Sequence, residues 1–109
     1  MIDGLWGLTF TVADNTGGGV VYVREGQAFG GDAGFTYVGR LSQTGNSVSG
    51  KLEITQFNPN FLQLIPGLTR YALEVHGESD GKTFHLTGHL INRPGAPAII
   101  IIGVKQTDA

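Results

Sequence analysis

The sequence predicts an all-β fold: eight antiparallel strands closing into one up-and-down barrel. Three observations carry this. Apolar residues recur at every second position almost throughout, the period of a strand with one buried face. Clusters of Gly, Asp and Asn break these runs at short intervals, as turns do. Glycine makes up 18 of 109 residues, and many glycines fall inside strand patterns, where they serve bends and barrel corners. An open sandwich is the competing architecture. Gly7, Gly39, Gly50, Gly77 and Gly88 favour curvature and closure over a flat stack.

In the first strand Trp6, Leu8, Phe10 and Val12 share one face, and Leu5, Gly7, Thr9 and Thr11 the other. Asp14-Asn15-Thr16-Gly17-Gly18 reads as a turn. Val20 to Arg24 is a second strand, Gln27 to Gly30 a short third, and Gly31-Asp32-Ala33-Gly34 another turn. With Thr44-Gly45 at the centre of a two-residue hairpin, Gln43 faces Asn46, Leu41 faces Val48, Tyr37 faces Leu52 and Phe35 faces Ile54. With Asp80-Gly81 at the centre of another, Ser79 faces Lys82, Gly77 faces Phe84, Val75 faces Leu86 and Tyr71 faces Leu90. Between the hairpins, Asn58-Pro59 opens and Pro66-Gly67 closes a segment that predicts at most one short helical piece, or an apolar loop. Ala98 to Val104 is the last strand.

This pattern assigns one face of each strand to the barrel interior. Trp6, Leu8 and Phe10 line it from the first strand, and Phe35, Tyr37, Leu52 and Ile54 from the first hairpin. Tyr71, Leu73, Val75, Phe84 and Leu86 line it from the second. They are either packed core or the wall of a cavity. The apolar side of Phe61, Leu62, Leu64 and Ile65 is placed to cap one end.

Length fits a single domain over residues 1–109. A net charge of -2, with no basic run, supplies no field for nucleic acid or an anionic membrane, so neither is expected as a partner. The absence of cysteine excludes disulfides and thiolate chemistry. No basic-then-apolar leader is visible, and no apolar run approaches the ~20 residues that span a bilayer, so a cytoplasmic location is expected.

No catalytic residue is expected. The acids Asp3, Asp14, Glu25, Asp32, Asp80 and Asp108 sit in turns or near the ends, and no serine lies in a nucleophile elbow. Gly17-Gly18-Gly19 lacks a phosphate-loop continuation and reads as part of a hairpin turn. His76 and His85 face each other in the derived register, the one candidate pair for a metal. Without a third ligand nearby, solvated histidines on a polar face are the preferred reading, and no metal or cofactor is expected. Ala98-Ile99-Ile100-Ile101-Ile102 is apolar on both faces, as is Val20-Val21-Tyr22-Val23. Both therefore need a cover outside the barrel as well as inside. A second copy related by a two-fold axis is expected there, with Ile99, Ile101, Val21 and Val23 as candidate interface residues.

As a string, the chain resembles the GrlR-type negative regulators of type III secretion. The resemblance runs from Asp3-Gly4-Leu5-Trp6 to Phe10, then through Gly19 to Arg24, Gly30-Gly31-Asp32 and Tyr37-Val38-Gly39. Gln56-Phe57-Asn58 and the closing hairpin continue it, so that it covers residues 3 to 91. It implies a lipocalin- or calycin-like eight-stranded barrel with an apolar interior, a homodimer, and control of a transcriptional activator by protein–protein contact. A carrier or sensor of a small apolar, lipid-like ligand is the alternative. In the family, activator binding uses an acidic Glu-Asp-Glu-Asp patch after a Leu-Ser pair. Here Leu41-Ser42 is followed by the uncharged Gln43-Thr44-Gly45-Asn46, so that motif is not carried over.

Overall fold

A computed structural model describes residues 2–109, with Met1 outside the described residues. It contains eight strands and no helix: β1 (Gly4–Val12), β2 (Asn15–Arg24), β3 (Gln27–Gly31), β4 (Phe35–Thr44), β5 (Ser47–Gln56), β6 (Arg70–Ser79), β7 (Thr83–Leu90) and β8 (Ile99–Thr107). Each strand pairs antiparallel with the next, and β8 returns to β1, so the sheet closes into a barrel. Closure leaves no strand edge unpaired, which removes the usual aggregation hazard of a β protein.

The registers of both hairpins differ from the sequence expectation by two residues. Thr44 pairs with Ser47, so the β4–β5 turn is Gly45-Asn46, and Tyr37 faces Ile54 rather than Leu52. Gly45 has φ 59 while Asn46 stays out of the left-handed region, the pattern of a type II′ turn with Gly at its first central position. In the second hairpin Ser79 pairs with Phe84, leaving a longer loop over residues 80–83. The Asp80 carboxylate accepts the Lys82 and Thr83 amides there, both at 2.8 Å. These bonds hold its carboxyl below the usual range. A two-residue slip preserves which face each side chain takes, so hydrophobic alternation could not separate the two registers.

Two further expectations are corrected. Gly17, Gly18 and Gly19 lie inside β2, paired with Phe10, Thr9 and Leu8, and the β1–β2 turn is Ala13-Asp14. The segment from Asn58 to Gly67 forms turns without a helix. Its backbone is held from outside: the Phe57 and Asn58 amides donate to the Gly34 carbonyl at 2.8 and 3.2 Å, and Asn15 Nδ2 reaches the Leu64 carbonyl at 3.3 Å.

Inside the barrel, large side chains lie beside inward glycines of neighbouring strands. Phe84 pairs with Gly103, Leu41 with Gly50, Leu52 with Gly39 and Leu86 with Gly77. A Cβ on Gly103 would enter the Phe84 ring, and one on Gly77 would meet the His85 carbonyl of the next strand. The small residue thus makes room for a large neighbour or lets two strands coil closely together. Trp6 and Phe84 pack with tilted rings at 4.6 Å between centroids, and Trp6 Nε1 donates to the Ile2 carbonyl at 2.9 Å. Ile2 is itself buried, so this end of the barrel is filled and floored.

Gly77→Ala is expected to destabilise the fold by about 1–3 kcal/mol, because the added methyl has only backbone to push against. Gly7→Ala is expected to be near neutral, since Gly7 points outward and meets only the flexible Gln106 side chain. Urea unfolding of the two variants measures the contrast.

Candidate functional site

The end of the barrel away from Trp6 is open. It is bounded by the Ala13-Asp14 turn, the turn over residues 32–34 and the long β5–β6 loop. A cavity of about 840 Å³ enters here. Its deep wall is made by Phe10, Tyr37, Ile54, Leu73 and Ile99. Phe10 and Tyr37 meet edge to face at 5.2 Å, a favourable aromatic geometry. The space persists beside Gly17, the inward β2 residue at this end, which sends no side chain across the lumen; beside Gly19 the matching room is taken by the Tyr37 ring. At the filled end the matching β2 positions are Val21 and Val23, both buried.

Polar groups gather at the rim. Asp32 Oδ1 accepts the Gly34 and Phe35 amides, each at 2.8 Å, which fixes the β3–β4 turn. The Tyr37 hydroxyl, on a side chain only 3% exposed, donates to Asp32 Oδ2. Burial, then the hydrogen bond and the negative charge of Asp32, push the Tyr37 hydroxyl well above the ordinary tyrosine range. Tyr71 lines the same cavity, and burial followed by the Asp32 charge pushes it up to about 12. Both phenols are therefore neutral hydrogen-bonding groups at physiological pH and not bases.

The residues assigned to the interior from sequence all face inward, although Tyr71 is only partly buried. The proposed cap divides. Leu64 and Ile65 pack against the core, Phe61 is half exposed at the cavity mouth, and Leu62 is 97% exposed. Ile99, Ile101, Val21 and Val23 do not lie on the outer surface; all four are buried in the interior. A run of four isoleucines has no alternation to reveal its phase, and the register places Ile100 and Ile102 outside.

The outer face of that region is nevertheless apolar. Leu5, Tyr22, Phe29 and Val38 follow one another across β1 to β4 in direct register. Val104, Gly7 and Val20 form the adjacent row across β8, β1 and β2. Phe29 is 49% exposed and Ile100 42%.

The histidine pair is also rearranged. His76 faces Thr87, and His85 faces Glu78. His76 instead stacks on His89 at 5.5 Å. Among the described residues no three His, Cys, Asp or Glu side chains gather closely enough to hold a metal ion. The Gly45-Asn46 turn, which follows the Leu41-Ser42 pair, is uncharged and projects from the filled end, away from the cavity.

Sequence reasoning missed the Asp32–Tyr37 contact and the two inward glycines of β2. Asp32 looked like a turn residue and Tyr37 like core, and each reading is right alone. The five-residue offset across a turn, from an acceptor to an inward phenol, was the available signal.

The family described as "T3SS negative regulator, GrlR" matches residues 1–96 of the chain. No curated protein sequence matches it.

The tyrosine environments carry a pH dependence. The ordinary tyrosine value of 10.0 applies in the unfolded chain, whereas folded Tyr71 holds its proton to about 12. In that window the folded state binds more protons, so stability present below about pH 10 is lost as pH rises towards about 12. Tyr37 acts in the same direction. Urea unfolding across this range is expected to show a shallower decline in Tyr37→Phe and in Tyr71→Phe. An unchanged decline in both variants contradicts the assignment.

Proposed function

Since the chain belongs to the GrlR family of negative regulators of type III secretion, we propose that it acts without catalysis, by protein contact through its apolar outer face, as a homodimer. The observation that carries this is the row Leu5–Tyr22–Phe29–Val38, extended by Val20 and Val104. Single exposed hydrophobic residues are ordinary on a protein surface, but several in register across five strands mark a contact surface. The β4–β5 turn offers no acidic handle, so recognition of a partner such as a transcriptional activator rests on this face and not on charge. A two-fold contact satisfies such a surface with a second copy of itself. Asp32, the acid in closest contact with the buried wall, already accepts three hydrogen bonds, which suits a structural post better than an acid–base catalyst.

A second reading is supported by the cavity of about 840 Å³, within the range of small-molecule sites. In this reading the barrel carries or senses a small apolar ligand, and native mass spectrometry of the purified protein is expected to reveal a co-purified adduct.

Light scattering tests the first reading. The wild-type chain is expected at twice the 11.5 kDa of one copy, with little change in high salt because the contact is apolar. Phe29→Lys and Ile100→Lys are expected to give folded, soluble monomers, checked by circular dichroism. A wild-type protein monomeric at micromolar concentration overturns the homodimer.

A further inference from the structure

We infer that the open cavity selects an apolar molecule bearing a cationic amine and disfavours carboxylate and phosphate head groups. The inference rests on the ligand-binding reading of the cavity and adds the chemistry of its occupant. Three features of the site support it.

First, the charges around the cavity have one sign. Asp14 and Asp32 line its rim and, among the described residues, no Lys, Arg or His lines it; Arg93 lines a smaller neighbouring pocket that shares Asn15, Leu64 and Pro66 with it. Among the described residues the one ion pair is Lys105–Asp108, at the opposite end of the barrel, so neither rim carboxylate is neutralised by a fixed cation. An anionic head placed at this rim would meet like charge, with no lining cation to offset it.

Second, Asp32 is held in position before any ligand arrives. Two backbone amides fix Oδ1 and the Tyr37 hydroxyl fixes Oδ2. Each carboxylate oxygen has two lone-pair sites, so Oδ2 can still accept one more donor. An ammonium group supplies that donor together with the opposite charge, in a charge-assisted bond.

Third, the cavity has a direction. Its deep wall is aromatic and aliphatic, and the packed Trp6–Phe84 pair fills the far end. An amphiphile therefore enters chain first and leaves its head at the Asp14 and Asp32 rim.

Calorimetric titration with decylamine, decanol and decanoate, each below its micelle concentration, isolates the head group at constant chain length. Decylamine is expected to bind one per chain and about tenfold tighter than decanoate, with decanol between them and the gap narrowing as salt is raised. Asp32→Asn keeps an oxygen acceptor for the Gly34 and Phe35 amides and removes the charge. It is expected to remove the larger part of the preference for decylamine over decanol, Asp14 keeping the remainder, while leaving decanol itself unchanged. Asp14→Asn, in a turn remote from the Tyr37 bond, is a second variant that tests the rim charge without touching that bond, and it is expected to reduce the decylamine preference in part. Decanoate binding as tightly as decylamine overturns the inference and leaves the cavity reading standing. Failure of all three probes to bind overturns both.

Discussion

The barrel depends on the pairing of large with small across neighbouring strands. Eight strands enclose a lumen only wide enough for side chains to fill, so two bulky residues cannot meet at every level. The chain resolves this by placing an inward glycine beside Phe84, Leu41, Leu52 and Leu86. The same device has opposite results at the two ends. Near Trp6 the space left by Gly103 is taken by the Phe84 ring, and the end is solid. Near Phe10 the lumen opposite Gly17 is left unfilled, and the end is hollow.

The exterior is divided as well. The outer faces of β5, β6 and β7 carry Lys51, Glu53, Glu74, His76, His85 and His89, with Glu74 facing Lys51 on one side and His89 on the other. From β8 round to β4 the outer face carries Ile100, Val104, Val20, Tyr22, Phe29 and Val38, bordered by polar residues that include Arg24 and Arg40. Closed barrels need an apolar residue only on the inner side of each strand, so half of this exterior exceeds what folding alone requires.

Much of this was legible in the sequence, and the failures share a cause. Period-two alternation identified the strands and their inward residues, because burial on one face is a strong constraint, and the in-strand glycines favoured closure over a sandwich. It is blind to any shift of two, and both hairpins slipped by that amount; the backbone of Gly45 and the amides capped by Asp80 decided the register instead. Alternation also fails where composition is uniform. Ile99 to Ile102 could not show its phase, and Gly17 to Gly19 looked like a turn because glycine leaves no pattern in either structure. The cavity was beyond reach for a related reason. It is defined by side chains that are missing, and by a contact between Asp32 and Tyr37 that no local rule requires.

The single tryptophan lies at the solid end. Trp6 is fully buried against Phe84, with Lys105 Nζ 5.2 Å from its ring centroid, and the packed centre of the barrel separates it from the cavity. Its fluorescence therefore reports the integrity of the plug and not the occupancy of the pocket. An emission spectrum that stays constant on addition of a small molecule is what an occupied, intact barrel would give. The optical signal of binding belongs to Tyr37 and Tyr71, which line the cavity.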